Sequence, residues 1–316
     1  MPLSTPGGTA ATVSPAAVRA RLEGRRVDVA GLLFRLALLG ALAFTVLILA
    51  VLLFTVARDG LEVLTARPSS FIKGTLRSLP SEAGIHQGLR GTFWIGVFVV
   101  FLGFPLGIGA AIYLEEYAPK SRLTRFIDIN IRNLAGVPSI VYGILGFAIF
   151  VKSLGSFTGG RTVIAAGITL AILVLPIVII TAAEAIRAVP SGLKEASLGV
   201  GATKWETIRH HILPYAAPGI LTGTVLSLAR ALGEAAPLIL VGAVTNRLGS
   251  DPGLLDIGSL KQRFTSMPSI ITQWAGEAQG GFKTNTAAAI LILMAIVLLA
   301  NGTAIVLRNR FEAKRR

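Results

Sequence analysis

The sequence predicts an all-α polytopic membrane protein with six transmembrane helices. The chain of 316 residues is 53% hydrophobic, and its mean hydropathy is +0.71. Only 15% of its residues are charged, whereas about 25% is usual in soluble domains. A membrane-crossing helix needs about 20 apolar residues. Six stretches meet that need and predict spans at 36–57, 91–114, 133–151, 162–183, 218–244 and 284–307.

The distribution of basic residues predicts the orientation of these spans. Six spans place both termini on one side of the membrane. If that side is the cytoplasm, the inner segments hold 17 Lys and Arg residues and the outer segments hold 11. This excess follows the positive-inside rule. The bases that directly flank the first and last spans, at 19–26 and 308–316, weigh most, so we expect both termini to be cytoplasmic.

The net charge is +14, and the Lys and Arg residues that produce it lie between the apolar stretches rather than on a soluble face. Nucleic-acid binding needs basic side chains that cluster on one face. The pattern therefore favours membrane lipid as the partner of these charges and gives no indication of nucleic acid. One group is expected to form a solvated cytoplasmic rim that contacts anionic headgroups: Glu115, Glu116, Lys120, Arg122, Arg125 and Arg132.

The sequence shows no sign of catalytic or metal chemistry. Cysteine is absent, which excludes disulfides, thiolate metal sites and a cysteine nucleophile. His210 and His211 are adjacent, so on a helix they diverge by about 100° and make a poor metal pair. No catalytic triad or carboxylate pair is recognisable, and we predict neither an enzyme nor a metal site.

The chain is predicted to carry one membrane domain between two short cytoplasmic tails. Residues 1–31 form the first tail, and 1–18 are expected to be disordered because small and polar residues dominate them. The membrane domain covers 32–308, with its core at about 87–308. Residues 309–316 form a basic cytoplasmic tail.

Spans two to five each contain a proline at depth, whereas the first and last contain none. These prolines are Pro105, Pro138, Pro176 and Pro237. Proline removes a backbone hydrogen bond and bends a helix, so the freed carbonyl needs a packed or water-lined surrounding. Either helix bundles simply tolerate these prolines, or spans two to five form the central bundle. The spacings Gly103–Gly107 and Gly219–Gly223 also suit close helix approach.

A polar segment, 184–217, lies between spans four and five. Ser191 follows Pro190 at the start of a helical stretch, and Gly199 with Gly201 interrupts that stretch. Thr203 and Glu206 then have the spacing of a capping box, which begins a second helix. The pattern predicts a helix–turn–helix at the membrane face.

Apolar residues follow at helical spacing in the second helix. Trp205, Ile208 and Ile212 predict an apolar stripe with a charged rim, and Pro214 with Pro218 is expected to end the helix before span five. The segment is either a docking knob for a cytoplasmic partner or an amphipathic helix that lies on lipid.

The same segment resembles the EAA loop of bacterial ABC importer permeases. That pattern is Glu-Ala-Ala, three residues, Gly, nine residues, Ile, one residue and Leu-Pro. The chain matches it at Glu195, Ala196, Gly201, Leu213 and Pro214. Ser197 replaces the third small residue, and His211 occupies the usual Ile position, which places a polar ring where an apolar contact is expected.

Two further stretches are similar to the phosphate-uptake permeases of that group. They are NLAGVPSIVYGILG (Asn133 to Gly146) and RALGEAAPLI (Arg230 to Ile239), and the ending GEAAPLI is typical of the PstA-type subunit. The resemblance covers about residue 85 to the C-terminus. It implies a type I (MetI-like) ABC importer permease fold in a bacterial inner membrane. It also implies a second, PstC-like permease, two PstB-like ATPases and an extracytoplasmic phosphate-binding protein.

In that family the EAA loop forms the coupling helices that sit in a cleft of the cytoplasmic ATPase. The resemblance implies this role for Glu195, Ala196, Gly201, Ala202, Trp205, Leu213 and Pro214. The chain has no Gly-Lys dipeptide, so it has no Walker A loop of the form GxxxxGK[ST]. ATP and Mg are expected on the partner ATPase, and this chain is predicted to be a transport subunit without a cofactor of its own.

Two opposite charges, Arg230 and Glu234, lie inside the predicted fifth span. Each would cost about 2.5–3.5 kcal/mol at the centre of a lone helix. Their i, i+4 spacing allows pairing, but the order Arg-then-Glu is the less favourable one, which leaves partners on other helices open. The residues form either a structural ion pair or part of the substrate route. Gly233, four residues before Pro237, is expected to relieve the ring clash and bend the span.

Phosphate is the substrate that the resemblance implies, and arginine suits it because its planar fork donates two parallel hydrogen bonds. Another oxyanion, such as molybdate, sulfate or phosphonate, is the alternative within the same class. An ion-coupled secondary carrier that works alone is a second alternative. Such a carrier needs no docking loop, so the EAA-like segment argues against it. A membrane scaffold or signalling subunit without flux is a third.

Overall fold

The computed structural model describes residues 29–243 and 253–313, and helices joined by loops make up these residues without any strand. The predicted disorder of 1–18, the bases at 19–26 and the last three residues of the basic tail lie outside the described residues. The α-helices are α1 (Val29–Ala66), α2 (Pro68–Lys73), α3 (His86–Phe98), α4 (Phe104–Ile112), α5 (Arg122–Ala135), α6 (Ser139–Gly146), α7 (Gly155–Thr158), α8 (Val163–Arg187), α9 (Ser191–Gly199), α10 (Lys204–Thr207), α11 (Leu213–Gly233), α12 (Ala236–Val241), α13 (Met267–Gly276) and α14 (Gly281–Ala313).

Wider π-turns continue four of these helices. They are Val99–Gly103 after α3, Tyr113–Tyr117 after α4, Phe147–Ser153 after α6 and Ile208–Ile212 after α10. A π-turn adds one residue to a helical turn and often occurs at functional sites. A 3-10 turn covers Ile257–Lys261.

The described residues contain five helices that are long and apolar enough to cross a bilayer, and a bent pair supplies a sixth. The five are Val29–Ala66, His86–Tyr117, Val163–Arg187, Lys204–Gly233 and Gly281–Arg310. The predicted all-α class with six spans is therefore confirmed. The tail and membrane-domain boundaries stay predictions.

Two compact units make up the chain, and the boundary lies after Phe54. The described part of the first unit is the helical stretch 29–54. The second unit, from Thr55 onward, holds the contacts of the candidate site.

The third span differs from the prediction of a single kinked helix over 133–151. Helix α5 ends at Ala135, and α6 begins at Ser139 after a bend of 101°. Pro138 causes the break, because it lacks an N–H and disfavours helical backbone at the residue before it. The Leu134 carbonyl, which loses the N–H that Pro138 lacks, accepts from the Val137 amide at 3.1 Å and from the Tyr142 hydroxyl at 2.9 Å, so the broken end keeps hydrogen-bond partners.

The fifth span also differs from the predicted range of 218–244. A continuous helix runs from Lys204 to Gly233, so the expectation that Pro214 and Pro218 end the coupling helix is wrong. Pro214 directly follows the π-turn Ile208–Ile212, in which the Leu213 amide donates to the Ile208 carbonyl, so the wider turn accommodates a residue without an N–H. Pro218 is buried within α11, where tertiary packing offsets its missing bond.

Helix α8 lies at the centre of the second unit, and about two thirds of its most apolar stretch of 18 residues is buried. Spans two, three and five all pack against it. This packing agrees with the interpretation that spans two to five form the central bundle. Glycines permit the closest approaches: a Cβ at Gly107 would lie 2.6 Å from Val178 Cγ1, and one at Gly223 would lie 2.2 Å from Thr181 Oγ1. These glycines belong to the two predicted small-residue spacings.

A second packed region joins segments 67–85 and 264–289. Trp274 packs between Phe71 and Phe282, with ring centroids 6.3 Å and 5.6 Å apart. Arg67 donates to the Ala83 carbonyl at 3.0 Å and to Asn285 Oδ1 at 2.7 Å. Because burial in this region desolvates the guanidinium, the pKa of Arg67 is lowered from its ordinary value.

Candidate functional site

The polar segment between α8 and α11 folds as the predicted helix–turn–helix. Helix α9 covers Ser191–Gly199, and α10 begins at Lys204. The capping box is present: the Thr203 amide donates to Glu206 Oε2 at 2.8 Å, and the Glu206 amide donates to Thr203 Oγ1 at 3.3 Å. Reciprocal capping fixes the start of the second helix.

The turn between the two helices depends on Gly201. Its φ is +90°, a left-handed conformation that other residues adopt at a cost. The Gly201 amide donates to the Leu198 carbonyl at 3.0 Å, and the Ala202 amide donates to the Ser197 carbonyl at 3.2 Å. This pair of bonds is the Schellman motif. No atom lies within 4 Å of a Cβ built at Gly201, so the requirement for glycine is conformational rather than steric.

The first departure from the EAA pattern, Ser197, links the two helices. Its hydroxyl oxygen lies 3.0 Å from the Thr207 hydroxyl oxygen, and both residues are buried. Thr207 also donates to the Thr203 carbonyl at 3.1 Å. The polar replacement is therefore satisfied by a partner on the facing helix.

The second departure, His211, does not place a ring in an apolar contact as expected. His211 is exposed, whereas Ile208 and Ile212 are buried against the C-terminal end of α8. The extra residue of the π-turn shifts the register, so Ile212 takes the inward position. The predicted stripe is thus divided: its two isoleucines anchor the loop, and only Trp205 faces outward.

An exposed apolar patch lies at the tip of the loop. Val200 is 87% exposed, Trp205 is 52% exposed, and Leu198 is also exposed. Sequence reasoning missed Leu198 and Val200, although two apolar residues on either side of Gly199 in a polar segment were the available signal.

The seven predicted coupling residues differ in burial. Five are exposed (Glu195, Ala196, Gly201, Trp205 and Pro214), and two are half-buried (Ala202 and Leu213).

Arg230 and Glu234 lie together at the end of α11. Helix α11 ends at Gly233, and Glu234 has extended backbone with φ −78° and ψ 120°. Arg230 Nε is 3.5 Å from Glu234 Oε1, and the side chains are 45% and 18% exposed. A cation in the last turn of a helix is favoured by the helix dipole. Among the described residues their ion pair is with each other, not with another helix.

The expected bend at Gly233 is a complete break, and α12 starts after it with Pro237 in its first turn. A Cβ at Gly143 of α6 would lie 2.6 Å from Pro237 Cα, so the broken third and fifth spans pack directly on each other. Irregular backbone at membrane depth is tolerated where it is buried in protein or lines a polar cavity.

A bundle of apolar helices with a rigid polar loop at one end is the architecture of a membrane permease subunit. Residues 103–313 match the family described as "Binding-protein-dependent transport system inner membrane component". The chain belongs to this family, and the resemblance stated from its EAA-like loop is confirmed.

Two of the relatives below are named for phosphate transport. The chain is 32% identical to the "Phosphate transport system permease protein PstA 1" of Mycobacterium tuberculosis (strain ATCC 25618 / H37Rv), across 75% of this chain and 74% of that protein. It is 33% identical to the "Phosphate transport system permease protein PstA" of Mycobacterium leprae, across 75% of each. It is 36% identical to the "Probable ABC transporter permease protein YqgI" of Bacillus subtilis, across 55% of this chain and 58% of that protein. The match thus spans less than two thirds of YqgI.

Solved structures agree on the fold. A chain of the MetNI methionine ABC transporter in an inward-facing conformation gives a TM-score of 0.54 at 20% identity, across 72% of this chain and 94% of that chain. A bacterial ABC transporter for the polysaccharide alginate gives 0.60 at 16% identity, across 87% and 96%. The predicted MetI-like permease fold is confirmed.

Proposed function

We propose that this chain is a permease subunit of an ATP-driven phosphate importer. It forms the translocation pathway together with a second, PstC-like permease. The observation that carries the proposal is the helix–turn–helix of this family member. The capping box of Thr203 and Glu206 fixes the start of its second helix, and its tip exposes Val200 and Trp205. The relatives named as phosphate transport permeases support phosphate as the substrate.

The loop transmits force because its base is fixed and its tip is exposed. Ile208 and Ile212 are buried beneath it, while Val200 and Trp205 face outward. A PstB-like ATPase subunit docks on this tip, and a second ATPase docks on the other permease. ATP and Mg are bound by those subunits, since this chain has no Walker A loop.

Phosphate passes the junction of the broken third and fifth spans, where Arg230 supplies a positive charge. The bond between Arg230 and Glu234 is long at 3.5 Å, and hydrogen bonds of that length are weak. An incoming oxyanion therefore competes readily for the guanidinium, whose fork suits two phosphate oxygens. Glu234 repels the anion and limits how tightly it is held.

The protein resides in a bacterial inner membrane with both termini in the cytoplasm. The excess of basic residues in the inner segments supports this orientation. It places the coupling loop on the ATPase side and segments 67–85 and 253–283 on the side of an extracytoplasmic phosphate-binding protein.

The substrate is tested by competition in proteoliposomes that hold both permeases and the ATPases, with the binding protein added. We expect labelled phosphate to accumulate when ATP is supplied, and excess sulfate or molybdate to compete poorly. Stronger competition by sulfate, molybdate or a phosphonate than by unlabelled phosphate would show that the importer serves that oxyanion instead.

A further inference from the structure

Three consecutive residues at the inner end of span two each contact a different element of the coupling region. Glu115 pairs with Arg187, the last residue of α8, with Oε2 3.3 Å from Nε. Glu116 pairs with Lys194 of α9. The Tyr117 ring lies 4.8 Å from Lys204 Nζ of α10. We name these three contacts the span-two clasp.

The three residues lie in the π-turn Tyr113–Tyr117 that ends span two. On a regular α-helix, three consecutive side chains point about 100° apart and cannot all face one partner surface. Because their side chains diverge around the turn, Glu115, Glu116 and Tyr117 contact three different elements, α8, α9 and α10, which follow one another in sequence. The helix then ends at Ala118, whose amide donates to the Tyr113 carbonyl at 2.8 Å.

Glu116 is the most enclosed member of the clasp. Its side chain is only 7% exposed, whereas Lys194 is 36% exposed and Arg187 is 56% exposed. The expectation of a solvated rim is thus wrong for Glu116. A carboxylate held away from water is strongly destabilised when its counter-charge is removed, while an exposed pair is not. Glu116 therefore depends on its partner Lys194 more strongly than Glu115 depends on Arg187.

We propose that Glu116 is a positioning residue that makes span two follow the coupling loop during the transport cycle. The inference rests on the proposed ATPase coupling of the loop. The loop already continues into span five through a helix that is unbroken from Lys204 to Gly233. The clasp adds a second connection, so one movement of the loop displaces spans two and five together.

The first test compares variants in the complete complex of both permeases, ATPases and binding protein. Glu116→Gln is expected to keep ATPase co-purification and basal ATP hydrolysis but to move several-fold less phosphate per ATP hydrolysed. Lys120→Gln is the matched control, because Lys120 is an exposed lysine of the same surface with no ion pair among the described residues. It is expected to match the wild type.

The double exchange Glu116→Lys with Lys194→Glu separates a specific pair from general damage. It restores the opposite charges in reversed order and is expected to regain most of the phosphate moved per ATP. A wild-type ratio in Glu116→Gln, a loss of ATPase binding in that variant, or no recovery in the exchange would each overturn the inference.

A second test needs no transported ion, so its failure differs from a failure of the proposed substrate. The chain contains no cysteine, so spin labels can be attached at Tyr113→Cys on the π-turn and Ser191→Cys on α9, both exposed positions. We expect the label distance to stay the same between the nucleotide-free and vanadate-trapped complexes, and to change when Glu116→Gln is added. A change in the absence of Glu116→Gln would show that the loop leaves span two and would overturn the inference.

Discussion

Ser197 and Thr207 share a buried hydrogen bond, with 3.0 Å between their hydroxyl oxygens, that joins helices α9 and α10. The two residues do not depend on it equally. Thr207 also donates to the Thr203 carbonyl, whereas the contact with Thr207 is the one hydrogen bond of the Ser197 side chain among the described residues.

This asymmetry predicts different effects for the two single substitutions. Ser197→Ala leaves Thr207 with its second partner and is expected to change the thermal stability of the complex little. Thr207→Val leaves the Ser197 hydroxyl buried without a partner, which costs about 1–3 kcal/mol. The double variant Ser197→Ala, Thr207→Val should recover most of that loss. A double variant less stable than Thr207→Val would show that the unpaired Ser197 hydroxyl is not the cause of the loss.

Two nearby glycines provide a matched test of the turn. Gly201 has a φ of +90°, and alanine there is expected to cost about 1–2 kcal/mol and to weaken ATPase co-purification. Gly199 is helical, with open space around its Cβ position, so alanine there should be neutral or slightly stabilising. Equal effects of the two substitutions would show that the turn conformation does not control docking.

Trp205 is expected to dominate the binding of the ATPase. Tryptophan is enriched among interface residues that cost about 2 kcal/mol or more when truncated, and Trp205 is exposed on the loop tip. Trp205→Ala should therefore weaken ATPase affinity by about 30-fold, measured on the detergent-solubilised permease pair. Leu226→Ala is the control, because Leu226 is also exposed but lies on α11 away from the loop. An unchanged affinity in Trp205→Ala would place the docking surface elsewhere.

Arg230 is expected to be required for phosphate passage but not for assembly. Arg230→Gln removes the charge beside the broken spans and should abolish phosphate uptake, while the complex still purifies with all its subunits. Arg230→Lys keeps a point charge without the planar fork and should retain partial uptake. Wild-type uptake by Arg230→Gln would mean that the pair with Glu234 is structural.

The sequence predicted the helical class, the helix–turn–helix and its capping box because these depend on local patterns: apolar length, glycine position and Thr-x-x-Glu spacing. It misplaced the third and fifth spans because apolar composition does not reveal where a backbone breaks. Pro138 breaks a helix while Pro214 and Pro218 do not, and the difference depends on the preceding π-turn and on burial, which are tertiary properties.

The candidate site was predicted in the same uneven way. The charged pair Arg230 and Glu234 was recognisable because charges inside an apolar run are conspicuous. The enclosure of Glu116 was not recognisable, since its partner Lys194 lies 78 residues away. Likewise, only the extra residue of the π-turn explains why Ile212 rather than His211 is buried.

The most direct test of the account is whether ATP hydrolysis outside this chain drives phosphate through it by way of the coupling loop. In proteoliposomes with both permeases, the ATPases and the binding protein, we predict phosphate accumulation that requires ATP. It should disappear in Gly201→Asp, which still inserts in the membrane. Accumulation by this chain alone without ATP, or full ATP-driven accumulation by Gly201→Asp, would contradict the account.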